Sequence, residues 1–142
     1  YQDENVKVEA FQHKHWELPY NYAYRVTTPD RVVVIGGDGS DDDRLIAAAR
    51  GADVFVAEVC TEADLVNAPW GGKTLEEKGR LIWQYHIKPR DLARIASAAQ
   101  VKMLVLYHVQ NYSDPYDPDA VLKEVREFYQ GIVVQARDGD IF

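Results

Sequence analysis

The chain has 142 residues, and its 46% hydrophobic content is enough for one domain with a buried core. It carries 16 Lys and Arg against 23 Asp and Glu, a formal net charge of −7, which argues against a nucleic-acid backbone as its main partner. A single cysteine, Cys60, excludes an internal disulfide framework. With no apolar run near the roughly 20 residues of a membrane span and no signal peptide, we expect a soluble domain of undecided compartment.

The first third of the chain predicts a meander of strands. Residues 6–11 and Tyr22–Thr27 alternate apolar and polar side chains, the pattern of half-buried strands. Val32–Ile35 is uniformly β-branched, which predicts a strand buried on both sides. Pro29 and Asp30 form a turn before it, so the three strands are expected to pair antiparallel.

A helix is predicted after the third strand, with Ser40 as its N-cap, three aspartates (41–43) at its positive end and Gly51 at its C-terminal cap. Residues 54–59 predict a second buried strand. The irregular segment 60–88, with a possible helix at 74–83, is typical of a lid or binding loop.

The last third predicts two further helices and three strands. Pro89 suits the first position of a helix, and residues 101–107 form a third buried strand that ends at His108. Pro118 opens a final helix behind the cap Asp117, with Gly131 as its stop. Residues 132–135 and 141–142 are expected to be strands around an Asp138–Gly139 turn.

Four polar side chains fall at the ends of predicted elements. His15, Asp38 and His108 each follow a strand, and His86 stands just before a helix. Neutral imidazoles with one carboxylate are the ligand set of hydrolytic zinc sites, where the metal lowers the pKa of a bound water toward 7. From the residues alone, a metal site and a set of unrelated surface histidines both stay open.

The order of segments VEAFQHKH, AYRVTTPDRVVVIGGDG, GADVFVAEV, YHIKPRDLARIA and KMLVLYHV resembles the second half of a metallo-β-lactamase-fold hydrolase. The resemblance is to the branch that includes ribonuclease Z and arylsulfatase-type enzymes. It implies an α/β protein in which residues 1–142 form a single domain, half of a four-layer αββα sandwich with a mixed sheet and outer helices.

The resemblance also implies a ligand set for two zinc ions. His15 would bind one ion, with His13 as the neighbour that could be confused with it. Asp38 would bridge the two ions, and His108 would bind the second ion. Hydrolysis of an ester, phosphoester, sulfate ester or amide of a small-molecule substrate by a zinc-activated water is the implied activity.

Two further residues take catalytic or supporting roles by the same resemblance. His86 would lie near the substrate, stabilise charge or transfer a proton, and Glu58 would have a supporting or structural role. The chain departs from the family pattern at Gly39, where Ser or Thr is common, and at Ile87, which follows His86 in place of Ser or Thr. These departures concern the substrate more than the fold.

The family motif HxHxDH, which supplies the remaining metal ligands, is absent from the sequence, and the chain begins at Tyr1. We therefore expect an upstream part to have been removed and one apolar sheet face to need a cover. The cover would be the missing first half, from another chain or an excised segment, or a swapped copy in an oligomer. The chain alone should bind zinc weakly or not at all.

Two other functions stay open. GGDGS (36–40) also resembles the phosphate-binding loop of lipid and NAD kinases, but the aspartates that follow it would repel phosphate. The second alternative is a non-catalytic, degenerate metallo-β-lactamase-like domain that serves as an interaction module.

Overall fold

The computed structural model describes residues 1–109, 117 and 119–142. Its described strands form one mixed sheet in the order β1-β2-β3-β4-β5-β6. The first three strands pair antiparallel and the last three run parallel to β3. Their bounds are β1 Lys7–Gln12, β2 Tyr22–Thr27, β3 Val32–Ile35, β4 Val54–Glu58, β5 Met103–Tyr107 and β6 Ile132–Gln135. The predicted meander and mixed sheet are confirmed.

Five helices lie in the described residues: α1 Arg44–Ala49, α2 Glu62–Asn67, α3 Leu75–Ile82, α4 Pro89–Ala99 and α5 Ala120–Phe128. Helices α1, α4 and α5 bury their apolar side chains with one face of the sheet in the main core. Helices α2 and α3 pack together around a small second cluster that contains Cys60. None of the described helices has the length and apolarity to cross a membrane.

Local sequence explains most helix boundaries. Helix α4 begins at Pro89, as predicted, and α3 lies within the predicted range 74–83. Both α2 and α3 start with a capping box, formed by Thr61 with Asp64 and by Thr74 with Glu77. Helix α2 is absent from the sequence prediction, because six residues are too few to show a helical period.

The predicted start of α1 is wrong. The N-cap is Asp43 without a side-chain hydrogen bond, and Ser40 lies outside the helix. The aspartates instead fasten the turn that precedes α1. Asp42 accepts a hydrogen bond from the backbone N–H of Lys14 (2.9 Å), while Asp41 and Asp43 pair with Arg94 of α4 at 2.6 and 2.7 Å.

Two predictions near the carboxyl end also need correction. Helix α5 has Asp119 as its N-cap instead of Asp117, and the predicted start at Pro118 lies outside the described residues. The turn at Asp138 and Gly139 is present, with a hydrogen bond from Asp140 N–H to the carbonyl of Arg137 (3.0 Å). Residues 141–142 are not a strand, because they lie exposed beyond the sheet and pair with no described strand.

The two faces of the sheet are covered unequally. Val34, Phe55 and Leu104, neighbours on one face, are fully buried under the helices. The opposite face is also apolar, and Val105 near its centre is buried, but Tyr24, Ile35 and Ile132 remain 46%, 43% and 59% exposed. Within the described residues, β3 is therefore covered on one side only, whereas the sequence predicts burial on both sides.

The half-covered face predicts self-association of the 142-residue chain. Exposed apolar sheet surface is removed from water by pairing with another surface. In light scattering, the chain should run as oligomers, and Ile35→Lys combined with Ile132→Lys should shift it toward monomer. Ile141→Lys is the matched control, because Ile141 is exposed but lies off the sheet. A compact, monodisperse wild-type monomer would contradict this expectation.

Candidate functional site

The four predicted site residues converge at one edge of the sheet. Asp38 lies just beyond the end of β3, His108 directly follows β5, and both strands run parallel to β4 between them. Carboxyl ends of parallel strands meet at one edge, where ligand sites of layered α/β folds lie. His15 reaches this edge from the β1–β2 loop, and His86 reaches it from the segment between α3 and α4.

The carboxylate of Asp38 is the centre of the cluster. Its Oδ2 lies 3.3 Å from Nε2 of His108 and 3.6 Å from Nε2 of His15, and its Oδ1 lies 3.3 Å from Nδ1 of His86. One ligand atom each from Asp38, His86 and His108 falls within 4.8 Å of the others. His108 has a φ of 49°, a left-handed conformation that is uncommon outside glycine and clusters at functional sites.

The carboxylate of Glu58 contacts the ring of His86. Glu58 ends β4 and is completely buried. Its Oε2 lies 3.2 Å from Nδ1 of His86, and its Oε1 accepts the backbone N–H of Ile87 at 2.7 Å. These two contacts fix the His86 ring against the sheet edge, so Glu58 has the supporting position that the resemblance implies.

Burial and charge shift the titration of this group. Burial raises the pKa of Glu58 to about 7, although the hydrogen bond and charge interaction with His86 act to lower it. Burial alone would lower the pKa of His86, but its hydrogen bonds and charge interactions with Asp38 and Glu58 outweigh burial and raise that pKa to about 9. Burial opposes ionisation of Asp38 as well, yet the hydrogen bond from His86 and the charges of the surrounding histidines lower its pKa. At neutral pH, His86 is therefore a cation beside an ionised Asp38.

The residues present fit a metal centre. Oδ1 of Asp38 is buried without a well-aligned hydrogen bond, the nearest donor being Nδ1 of His86. Two imidazole nitrogens, from His15 and His108, face the other oxygen, Oδ2. A carboxylate flanked by imidazoles is a donor set that suits Zn²⁺. Among the described residues, Asp38, His86 and His108 form the group with metal-ligand spacing, while His15 lies outside that group with its Nε2 at 3.6 Å from Oδ2 of Asp38.

His13 does not face the cluster. It is buried, and burial lowers the pKa of its imidazole. Its ring lies 3.1 Å from Nδ2 of Asn21, which also donates to the backbone carbonyl of Asp38 at 2.8 Å. Between the two neighbouring histidines, the geometry therefore favours His15 as the ligand.

The surroundings of the glycine-rich turn 36–40 bear on the kinase-like alternative. The His13 ring packs against Gly39 so closely that an added Cβ would lie 2.4 Å from it. The aspartates that follow are engaged by Arg94 and by Lys14 N–H. The packed ring and the negative charge of these aspartates beside the turn argue against the kinase-like alternative.

Two supporting residues escaped the sequence analysis. Asn21 bridges His13 and Asp38, and Tyr85 packs edge-on against the His15 ring with centroids 5.4 Å apart. The sequence names His13 as a neighbour of His15 but does not predict that its ring packs against Gly39. Nothing in the pattern around Asn21 or Tyr85 marks them. The partnership of Glu58 with His86 had one signal, because Glu58 is a charged residue that interrupts an apolar run.

The chain is similar to known proteins in sequence and in structure, although no protein-family profile matches it. It is 35% identical over 111 residues to ribonuclease Z of Myxococcus xanthus, covering 78% of this chain and 32% of that protein. It superposes on the metallo-β-lactamase fold protein YhfI from Bacillus subtilis with a TM-score of 0.73 at 22% identity, covering 97% of this chain and 50% of that one. Against the short form of human tRNase Z the TM-score is 0.66 at 20% identity, covering the whole chain and 44% of the other.

The chain belongs to the metallo-β-lactamase-fold superfamily, in agreement with the resemblance in its sequence. It spans about a third of the length of the curated relatives it matches and about half of the YhfI structure. The predicted fold class, an α/β half sandwich with outer helices, is confirmed.

The contact between Glu58 and His86 predicts a measurable pKa change. In the metal-free protein, Glu58→Gln should lower the pKa of His86 from about 9 by about 1–3 units, because a carboxylate that favours the imidazolium is removed. An NMR titration of the His86 ring measures the change. Glu124→Gln is the matched control, since Glu124 is a half-buried glutamate whose carboxylate bonds Glu62 N–H instead. An unchanged His86 midpoint in Glu58→Gln would contradict the assignment.

The same shifts set the sign of the pH dependence of stability. Both folded pKa values lie above the ordinary values of 4.5 for glutamate and 6.5 for histidine. The folded state therefore binds more protons than the unfolded state from pH 4.5 to about 7 through Glu58 and from pH 6.5 to about 9 through His86. The contribution of Glu58 is lost as pH rises toward 7, and that of His86 as pH rises toward 9. Urea unfolding at pH 5 and pH 9 should show this loss in wild type and a smaller loss in Glu58→Gln/His86→Asn.

Proposed function

We propose that these residues form the metal-dependent catalytic edge of a hydrolase that cleaves a phosphodiester bond. The observation that carries the proposal is the convergence of three imidazoles on the carboxylate of Asp38, at distances of 3.3 to 3.6 Å. Structural ion pairs seldom need three histidines around one carboxylate, whereas hydrolytic metal centres are built from these groups.

Asp38, His15 and His108 are the residues proposed to hold the metal. Both imidazoles direct Nε2 at the same carboxylate oxygen, which suits a bridging carboxylate between two ions. A bound Zn²⁺ would supply a water of lowered pKa as the nucleophile. The lowered pKa of Asp38 keeps its carboxylate ionised and ready to bind a cation.

His86 is proposed as the proton donor instead of a ligand. Its Nδ1 hydrogen-bonds Oε2 of Glu58 at 3.2 Å and lies 3.3 Å from Oδ1 of Asp38, so this nitrogen is turned toward the two carboxylates. The other ring nitrogen, Nε2, is then the atom that can give a proton to a leaving oxygen. Glu58 acts on the reaction through the ring it orients, because it is buried and bonds the Ile87 backbone with its second oxygen.

The substrate class rests on the sequence relatives. The M. xanthus relative, 35% identical over 111 residues, is named ribonuclease Z, and phosphodiester hydrolysis is the reaction that this name indicates. The net charge of −7 gives these residues no basic surface for a long nucleic acid. If the substrate is RNA, its phosphate-binding surface must lie outside the 142 residues.

The proposed site needs ligands from outside these residues. A zinc ion in such a centre takes three or more protein ligands, while Asp38 with one histidine supplies two for each ion. The half-covered sheet face, with Ile35 and Ile132 exposed, offers a surface on which a second part of the fold can pack. We propose that this part is the segment present in the longer relatives, with a second copy of this chain as the alternative source.

Two histidine substitutions separate the proposed roles in the complete protein. His108→Ala should lower hydrolysis of bis(4-nitrophenyl) phosphate and bound zinc together, because a ligand is lost. His86→Ala should lower kcat by about 10²–10⁴-fold, the range of general acid catalysis, with zinc retained. Zinc content by atomic absorption and the hydrolysis rate are measured on the same samples.

Each variant serves as the control of the other. Equal zinc loss in both would contradict the division of roles and would make His86 a ligand. Zinc binding by the wild type without hydrolysis of phosphodiester, sulfate-ester or carboxylic-ester probes would favour the interaction-module alternative.

A further inference from the structure

The turn that carries Asp38 rests on a buried imidazole that takes no part in the proposed chemistry. His13 follows β1 and is 2% exposed. Its ring lies against the glycines on both sides of Asp38: an added Cβ would lie 3.7 Å from Nε2 at residue 37 and 2.4 Å from Cε1 at residue 39. A buried ring packed against two glycines of the turn 36–40 limits how that turn can move.

Asn21 ties the same ring to Asp38. Its amide nitrogen Nδ2 lies 3.1 Å from Nε2 of His13 and donates to the backbone carbonyl of Asp38 at 2.8 Å. Nδ2 also lies 3.4 Å from Nδ1 of the same ring. Because an amide nitrogen only donates, the ring nitrogen that carries no hydrogen is the acceptor, and the tautomer decides which one that is. The backbone bond from Ser40 N–H to the carbonyl of Lys14, 2.9 Å, closes the contact on the far side of the turn.

Gly39 leaves the room that His13 occupies. A Cβ on residue 39 would lie 2.4 Å from Cε1 and 2.7 Å from Nδ1 of His13, and 2.7 Å from the carbonyl oxygen of Lys14. Real Cβ atoms do not approach that closely, so any side chain at residue 39 requires the ring or the turn to move. Ser or Thr is common at this position in the family that the sequence resembles, and the imidazole in this chain fills the space that such a side chain would need.

We propose that His13 is a positioning residue, matched to Gly39, whose imidazole holds the Asp38 turn so that the carboxylate meets His15 and His108. The expected effect of His13 on metal affinity rests on the proposed function, but its effect on the position of Asp38 does not. His13 acts through the backbone of the turn and is not one of the residues proposed to hold the metal.

The test compares His13→Ala, Asn21→Ala, Gly39→Ala and the double variant His13→Ala/Gly39→Ala in the complete protein. Crystal structures of the metal-free forms give the separation of Asp38 Oδ2 and His108 Nε2, which is 3.3 Å with His13 present. We expect a longer separation in each single variant. Co²⁺ titration should show affinity lowered about 10- to 100-fold, the range for residues that orient ligands.

The double variant distinguishes a matched pair from two independent defects. Two of the three close contacts at residue 39 belong to the His13 ring, so Gly39→Ala should cost less Co²⁺ affinity in the His13→Ala background than alone. Additive losses would overturn the pairing of the two residues.

Val133→Ala is the control for a merely structural role, because Val133 is buried in β6 away from the turn. It should lower the unfolding midpoint and leave the Asp38–His108 separation and the Co²⁺ affinity unchanged. If His13→Ala behaves in the same way, the positioning role is wrong.

Asn21→Ala retains His13 and tests the connection between its ring and the Asp38 turn should His13→Ala fail to fold. A wild type without Co²⁺ affinity would contradict the proposed function, while the Asp38–His108 separation would still decide the role of His13.

Discussion

The site depends on one electrostatic constraint, the half-buried carboxylate of Asp38 among the imidazoles of His15, His86 and His108. Burial opposes its charge, but the hydrogen bond from His86 and the charge interactions with the three histidines outweigh burial and lower its pKa. The sheet topology creates this arrangement, because β3 and β5 flank β4 in parallel and end at one edge. A bound cation is the natural complement of a carboxylate oxygen that is buried without a well-aligned donor.

Other residues position the side chains around Asp38 without being proposed to take part in the reaction. Glu58 orients His86 from the end of β4, and Arg94 fastens the aspartates beyond the turn. His13 and Asn21 hold the turn itself. One apolar face of the sheet remains exposed at Ile35 and Ile132, and the proposed metal site lacks part of its ligand set. Both features are accounted for if a further part of the fold packs on this sheet.

Sequence patterns predict the elements whose physical cause is local or periodic. The β-branched run Val32–Ile35 and the proline at residue 89 mark β3 and the start of α4 because each restricts the backbone directly. Strand ends also place Asp38 and His108 at one edge. The start of α1 is predicted wrongly. Asp41 and Asp43 pair with Arg94, and Asp42 bonds Lys14 N–H as well as its neighbour Arg44, so the contacts with distant residues are not visible in any local pattern. The role of His13 depends in the same way on a contact made only in the folded chain.

The most direct test of the central role of Asp38 is the anomalous diffraction of zinc in crystals of the complete protein. The account predicts two metal peaks bridged by the Asp38 carboxylate, with His15 bound to one ion and His108 to the other, and His86 bonded to Glu58. A metal position that leaves Asp38 unbound, or that uses His86 in place of His15 or His108, would contradict it.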